Sequence, residues 1–241
     1  MENLELSKPE LSGEEQLKEN LRGLLREYDP GLVSHFMAAR KGFGKIFEQA
    51  REKIDGHYYS SILGDDTSGR IPGLIFYRAL EKIYGNQDKP PMFFLQGGKE
   101  REQNSQERWQ KVSQFINQNK DQFGNHPLLV TELMATGASI GRFKKAFFEQ
   151  GIDLECAILY QMPSRMIEDY TNENDLVGLT GYEVGYGWRP FEEIDERSVG
   201  VARSEDVHSK KIDELFTQPI RKAVAMVAEN LALEYLNQAV N

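Results

Sequence analysis

The chain has 241 residues, of which 39 % are hydrophobic and 28 % charged, and its formal net charge is −9. That length supports one large domain with a substantial core, and the acidic balance argues against a nucleic-acid partner. A single cysteine, Cys156, excludes an internal disulfide and a cysteine metal cluster, while the absence of a long apolar run or a signal-peptide centre leads to the expectation of a cytoplasmic protein with no membrane partner.

The first segment, "LSGEEQLKENLRGLLREYDP", predicts a helix. Ser12 is its N-cap, Glu15 completes a capping box, and Leu17, Leu21, Leu24 and Leu25 form its apolar stripe up to Pro30. A second helix is expected over 32–54, interrupted near Gly42 and Gly44. Both are expected to form an accessory cap covering residues 1–55. From Tyr58 the pattern changes. "YYSSILG", "PMFFLQ", "HPLLVTE" and "LECAILYQ" read as strands, and "IPGLIFYRALEKIYG", "SQERWQKVSQFINQNK" and "ASIGRFKKAFFEQG" read as the helices between them. Strands alternating with helices of this length predict βαβ units and a parallel sheet. The α/β core is expected over 56–205, with short strands in its Gly- and aromatic-rich end. A long C-terminal helix is expected within 206–241, its apolar face carrying Leu215, Ile220, Val224, Val227, Leu231 and Tyr235.

Two loops stand out. In "LLVTELMATGAS" an apolar run meets Glu132 and then a turn of small and hydroxyl-bearing residues. A loop of this kind at the start of a helix is an anion site, because the first helical N–H groups lack internal partners and the helix dipole adds positive potential. Gly137 can make the turn, and Thr136 and Ser139 supply hydroxyls. Glu132 at the strand end can accept hydrogen bonds from two neighbouring hydroxyls. Phosphate at one end and a diol at the other suit a ribose 5-phosphate. The alternative is an ordinary strand-to-helix turn capped by Thr136 or Ser139. The second loop is "DDTSGR", in which Ser68, Gly69 and Arg70 can present amides and a guanidinium to a diphosphate. Asp65 and Asp66 can hold Mg²⁺, which prefers a few carboxylates together with phosphate and water. The alternative here is a turn in which Asp66 or Thr67 caps the next helix. Both loops follow strands, and ligands bind at the carboxyl ends of parallel strands, so both are expected to face one crevice.

The order of residues in "LLVTELMATGAS" resembles the phosphoribosyl diphosphate (PRPP) loop of type I phosphoribosyltransferases: an apolar run, two acids, a few small residues, then Thr-Gly-x-Thr/Ser. Here Thr131 replaces the first acid, Glu132 is the second, and Ala135 stands where the family often has Thr or Asp. The resemblance covers about residues 58–162 and implies a Rossmann-like phosphoribosyltransferase core. It implies that residues Ala135, Thr136, Gly137, Ala138 and Ser139 hold the 5-phosphate, and that Thr131 and Glu132 hold the ribose. Thr67, Ser68, Gly69, Arg70, Lys99 and Arg101 would hold the pyrophosphate, and Asp65 and Asp66 would hold Mg²⁺. Glu132, Asp66 and Arg70 carry the expected catalytic roles. "VGYG" echoes the hypoxanthine-guanine salvage branch, with Tyr186 and Trp188 as base-stacking candidates. The implied activity is transfer of phosphoribosyl from PRPP to a nitrogen base with release of pyrophosphate. The alternatives are a PRPP- or nucleotide-sensing protein, which Thr131 and Ala135 favour, and an interaction protein on the same scaffold. A homodimer is an open expectation.

Overall fold

A computed structural model describes residues 12–28, 31–65, 69–85, 88–95, 105–134, 137–162, 178–184, 201–202, 210–211 and 218–239. Eight helices and seven strands lie in these residues. The helices are α1 (Gly13–Leu24), α2 (Gly31–Gln49), α3 (Arg51–Asp55), α4 (Arg70–Tyr84), α5 (Ser105–Gln118), α6 (Lys120–Phe123), α7 (Ala138–Phe148) and α8 (Gln218–Ala239). The strands are β1 (Ser61–Asp65), β2 (Met92–Leu95), β3 (Pro127–Met134), β4 (Glu155–Gln161), β5 (Leu179–Glu183), β6 (Val201–Ala202) and β7 (Lys210–Lys211).

Strands β1 to β5 form one all-parallel sheet in the order β2-β1-β3-β4-β5, while β6 and β7 make a separate antiparallel pair. The predicted alternation of strands and helices is therefore the observed one. Its strands are apolar on both faces, as a sheet covered on both sides requires. On β1 and β3, Ile62, Leu128 and Val130 join one core, and Leu63 and Leu129 join the other. The first core contains residues of α1, α2, α4 and α8, and the second contains residues of α5, α6 and α7. Trp109, Val112, Phe115 and Ile116, the predicted stripe of α5, all pack in the second core.

Two expectations change. The first two helices are not an accessory layer: Leu17, Leu21, Phe36, Phe43 and Ile46 belong to the same core as Ile62 and Val130. The sheet needs cover on this face, and α2 supplies it over β4 and β5. Nor is α2 interrupted at its glycines. A Cβ at Gly42 would lie 2.5 Å from Leu159 Cδ1, and one at Gly181 would lie 3.1 Å from Gly42 Cα. The glycine thus lets the helix touch the sheet without breaking it. The predicted capping box of α1 is present: Glu15 N–H donates to Ser12 Oγ at 3.3 Å, and Ser12 N–H donates to Glu15 Oε2 at 3.0 Å. Ile220, Val224, Val227, Leu231 and Tyr235 are buried on α8 as predicted, and Leu215 lies outside the described residues. No described helix is long and apolar enough to cross a membrane.

Candidate functional site

The strand order fixes where the chain changes direction. From β1 it runs through α4 outward to β2, and from β3 it runs through α7 the other way to β4. The switch point falls between β1 and β3, which are paired from Ser61↔Pro127 to Gly64↔Val130. A crevice outside the carboxyl ends at such a point is where open α/β sheets bind ligands. Both predicted loops leave the sheet there.

On the β1 side, Asp65 ends the strand half-buried, and the chain returns at Gly69 to open α4. Gly69 N–H donates to Asp65 O at 2.7 Å, and Gly73 N–H donates to Gly69 O at 2.6 Å. A Cβ at Gly69 would lie 2.5 Å from Val130 O and 2.6 Å from Asp65 N. Gly69 is therefore pressed against both strands, a contact that only glycine allows. Arg70, the first residue of α4, is 9 % exposed, and its guanidinium carbon stands 4.1 Å from the centre of the Phe94 ring on β2.

On the β3 side, Thr131 and Glu132 are 2 % and 3 % exposed. A carboxylate buried to this degree inside a strand, here shortly before β3 ends at Met134, is uncommon and draws attention to function. Tyr160 on β4 lies close to it. Burial foremost, then the charge of Glu132 and the nearby Tyr182, push the Tyr160 phenol above its ordinary range. Gly137 is the N-cap of α7 in the left-handed region, with φ 75° and ψ −4°. Neither Thr136 nor Ser139 is that cap, and the cap makes no side-chain hydrogen bond to the helix. The first internal bond at this end is Gly141 N–H to Gly137 O at 2.8 Å, so the amides of Ala138, Ser139 and Ile140 precede the helical ladder. The Ser139 side chain is exposed.

The structure thus brings Asp65, Gly69, Arg70, Thr131, Glu132, Gly137 and Ser139 to adjacent strand ends. Asp66, Thr67, Ser68, Lys99, Arg101, Ala135, Thr136, Tyr186 and Trp188 lie outside the described residues, and so does the side chain of Ala138. Tyr182, another aromatic of the Gly-rich end, is engaged elsewhere: its ring lies parallel to Tyr160 at 6.3 Å and carries the Lys45 ammonium at 4.1 Å. Sequence reasoning missed Phe94 and Tyr160. Both were visible only as apolar letters in strands, and their nearness to Arg70 and Glu132 depends on strand order.

Among the described residues no group of three or more His, Cys, Asp or Glu is gathered as a metal cluster. Mg²⁺ does not need one, since one or two carboxylates with phosphate and water suffice. Asp65 at the end of β1 fits that donor set. Two surface grooves lie away from the crevice. One, of about 560 Å³, runs between α5 and α7 past Trp109, Arg142 and Lys145. The other, of about 440 Å³, runs between α2 and α8 past Lys45, Tyr182 and Tyr235.

The chain matches no family model, no curated protein and no solved structure. The fold and the site define its class as an α/β protein with a five-stranded parallel sheet and a candidate ligand crevice at the β1/β3 switch point.

Proposed function

We propose that this crevice binds PRPP and that the protein transfers its phosphoribosyl group to a nitrogen base, releasing pyrophosphate. The observation that supports this most is the buried carboxylate of Glu132 near the end of β3, on the strand that neighbours β1 and precedes the amides that open α7. Anion-binding features on both sides of a diol-binding carboxylate suit a ribose with phosphate at one end and diphosphate at the other.

In this reading the α7 amides and Gly137 hold the 5-phosphate. Glu132 accepts hydrogen bonds from the ribose hydroxyls, and Arg70 binds the diphosphate. Asp65, with Asp66 beside it in sequence, would hold Mg²⁺, whose contribution when bound is to offset negative charge on the diphosphate. In the transfer the bond from the anomeric carbon to the diphosphate oxygen breaks, and its electron pair leaves with the diphosphate. A base nitrogen forms the new bond and gives up its proton. The work of the protein is then positioning and electrostatic stabilisation of the leaving group.

A second reading is binding of PRPP or a nucleotide without transfer. Thr131 favours it, because this buried hydroxyl contributes no negative charge where the resembling family has an acid. A thermal-shift titration with PRPP, with and without Mg²⁺, tests both readings, with ribose 5-phosphate and AMP as comparators. A ligand selective for the folded state stabilises it by about 2.7 kcal/mol at a hundredfold excess over Kd. A Mg²⁺-dependent shift with PRPP, followed by pyrophosphate release in the presence of a base, is the expected outcome for the enzyme. A shift without release with any base supports the sensor, and no shift with any of the ligands overturns both.

A further inference from the structure

Helix α7 has an apolar face turned inward and an unlike face turned to solvent. Ile140, Phe143 and Phe147 are buried in the second core. Lys145, Phe148 and Glu149 are exposed and, at spacings of three and four, lie together on another side of the helix. Phe148 is 79 % exposed, well above Leu233 on α8 at 55 %. Single exposed apolar side chains are ordinary, so its surroundings decide whether it matters.

Beside this face runs the groove between α5 and α7. It holds about 560 Å³ and is lined by Trp109 of α5 and by Lys145, Ala146 and Glu149 of α7, among others. A space of that size is ample for a phenyl ring. The charges on its α7 wall are of opposite sign. Glu149 follows the last residue of α7 as its C-cap, an end where the helix dipole disfavours a carboxylate, and Lys145 stands one turn earlier. Among the described residues neither side chain makes an ion pair.

Opposite charges one turn apart on a shared face are complementary to themselves. When a second α7 lies antiparallel across a twofold axis, each lysine meets the glutamate of the other copy. Phe148 lies between the two in sequence and therefore falls near the axis. We propose that α7 and its groove form the contact between two copies of this chain, with each Phe148 seated in the groove of the other copy and a Lys145–Glu149 pair on either side. The contact is small, one helix and one groove per copy, so the dimer is weak and reversible. It is independent of the ligand reading, because α7 opens at the crevice and Phe148 closes its far end.

The test is sedimentation equilibrium of the full chain over roughly 1–200 µM, where a reversible dimer with a Kd of roughly 10 µM is expected. Phe148→Ser should raise that Kd about thirtyfold, as loss of an aromatic anchor does. Lys145→Glu and Glu149→Lys, which each set like charges face to face, should raise it about tenfold. The double variant Lys145→Glu/Glu149→Lys should recover the wild-type value, a rescue that packing alone does not give. Leu233→Ser on α8 should change nothing. All of these side chains are exposed, and circular dichroism checks that each variant folds. A wild-type chain that stays monomeric throughout would overturn the proposal. So would a dimer indifferent to Phe148→Ser, a charge swap without rescue, or a dimer broken by Leu233→Ser.

Discussion

The two ends of the parallel sheet use polar residues differently. At the amino end they close the fold on itself. Lys53 Nζ donates to both carboxylate oxygens of Glu155 at 2.8 Å, Ser60 and Ser61 hydroxyls both donate to Phe123 O at 2.8 Å, and the Tyr235 hydroxyl donates to Asp55 Oδ1 at 2.6 Å. Tyr58 stacks on His126 with ring centres 4.1 Å apart. At the carboxyl end the buried polar groups, Arg70, Thr131 and Glu132, sit instead beside glycine loops whose helices start with amides outside the helical ladder. The first arrangement joins elements to one another. The second gathers a buried cation, a hydroxyl and a carboxylate near the carboxyl ends of two neighbouring strands. The contrast teaches that polarity at a strand end gains meaning from the backbone around it.

The contrast can be broken from the amino end first. Phe123 is fully buried and meets Phe93 and Phe147 edge-on at ring-centre distances of 4.8 and 5.3 Å. Phe123→Ala should cost about 3–5 kcal/mol of stability, measured by urea unfolding. Ligand affinity per folded molecule should stay unchanged if the two ends are independent. At the other end, Gly137→Val forces a β-branched residue to φ 75°. It should cost about 1–3 kcal/mol and abolish the thermal shift with ribose 5-phosphate, while the circular dichroism spectrum is retained. Normal binding by the folded variant would remove the phosphate-loop assignment.

Alkaline pH should act on the amino half of the sheet. Burial raises the Cys156 thiol from an ordinary 9.0 to about 12, and burial with the nearby Asp55 charge raises the Tyr84 phenol from 10.0 to about 12. The folded state then holds protons that the unfolded chain has released. Their contribution is whole below pH about 9 and is lost progressively as pH rises through that interval. Urea midpoints should fall between pH 9 and pH 12, and Cys156→Ala should flatten part of the fall.

Smaller effects sharpen the comparison. Glu132→Ala should weaken ribose 5-phosphate binding about tenfold, a loss of roughly 1.4 kcal/mol, and spare inorganic phosphate. Equal loss of both would contradict a diol role. Lys53→Met removes an ion pair whose side chains are 43 % and 22 % exposed. It should change stability by about 0–1 kcal/mol and leave every ligand titration as it was.

Much of this architecture was legible from one dimension. Strand β3 and helices α4, α5 and α7 follow the predicted segments, because local periodicity and the closing glycines at 85 and 151 carry that information. The loop around Glu132 and Gly137 stood out because small residues after an apolar run are a local signal. Gly42 misled, since a glycine reads as a break when the strand it approaches is far away in sequence. The Phe94–Arg70 contact and the Glu132–Tyr160 approach carried no local signal.

What the chain determined by itself was the class of fold, the identity of its elements and the two candidate loops, all consequences of spacing within a few residues. Tertiary structure decided the strand order β2-β1-β3-β4-β5, and with it the switch point that makes neighbours of the strands ending in Asp65 and carrying Glu132. It also decided that α2 and α4 cover one face of the sheet with α8 packed on them, and that β2 lends a ring to Arg70. Pairing of distant strands depends on the total apolar surface the sheet must cover and on close approaches such as Gly42–Gly181 and Gly64–Phe94. Those are properties of the packed whole, and no short window of sequence contains them.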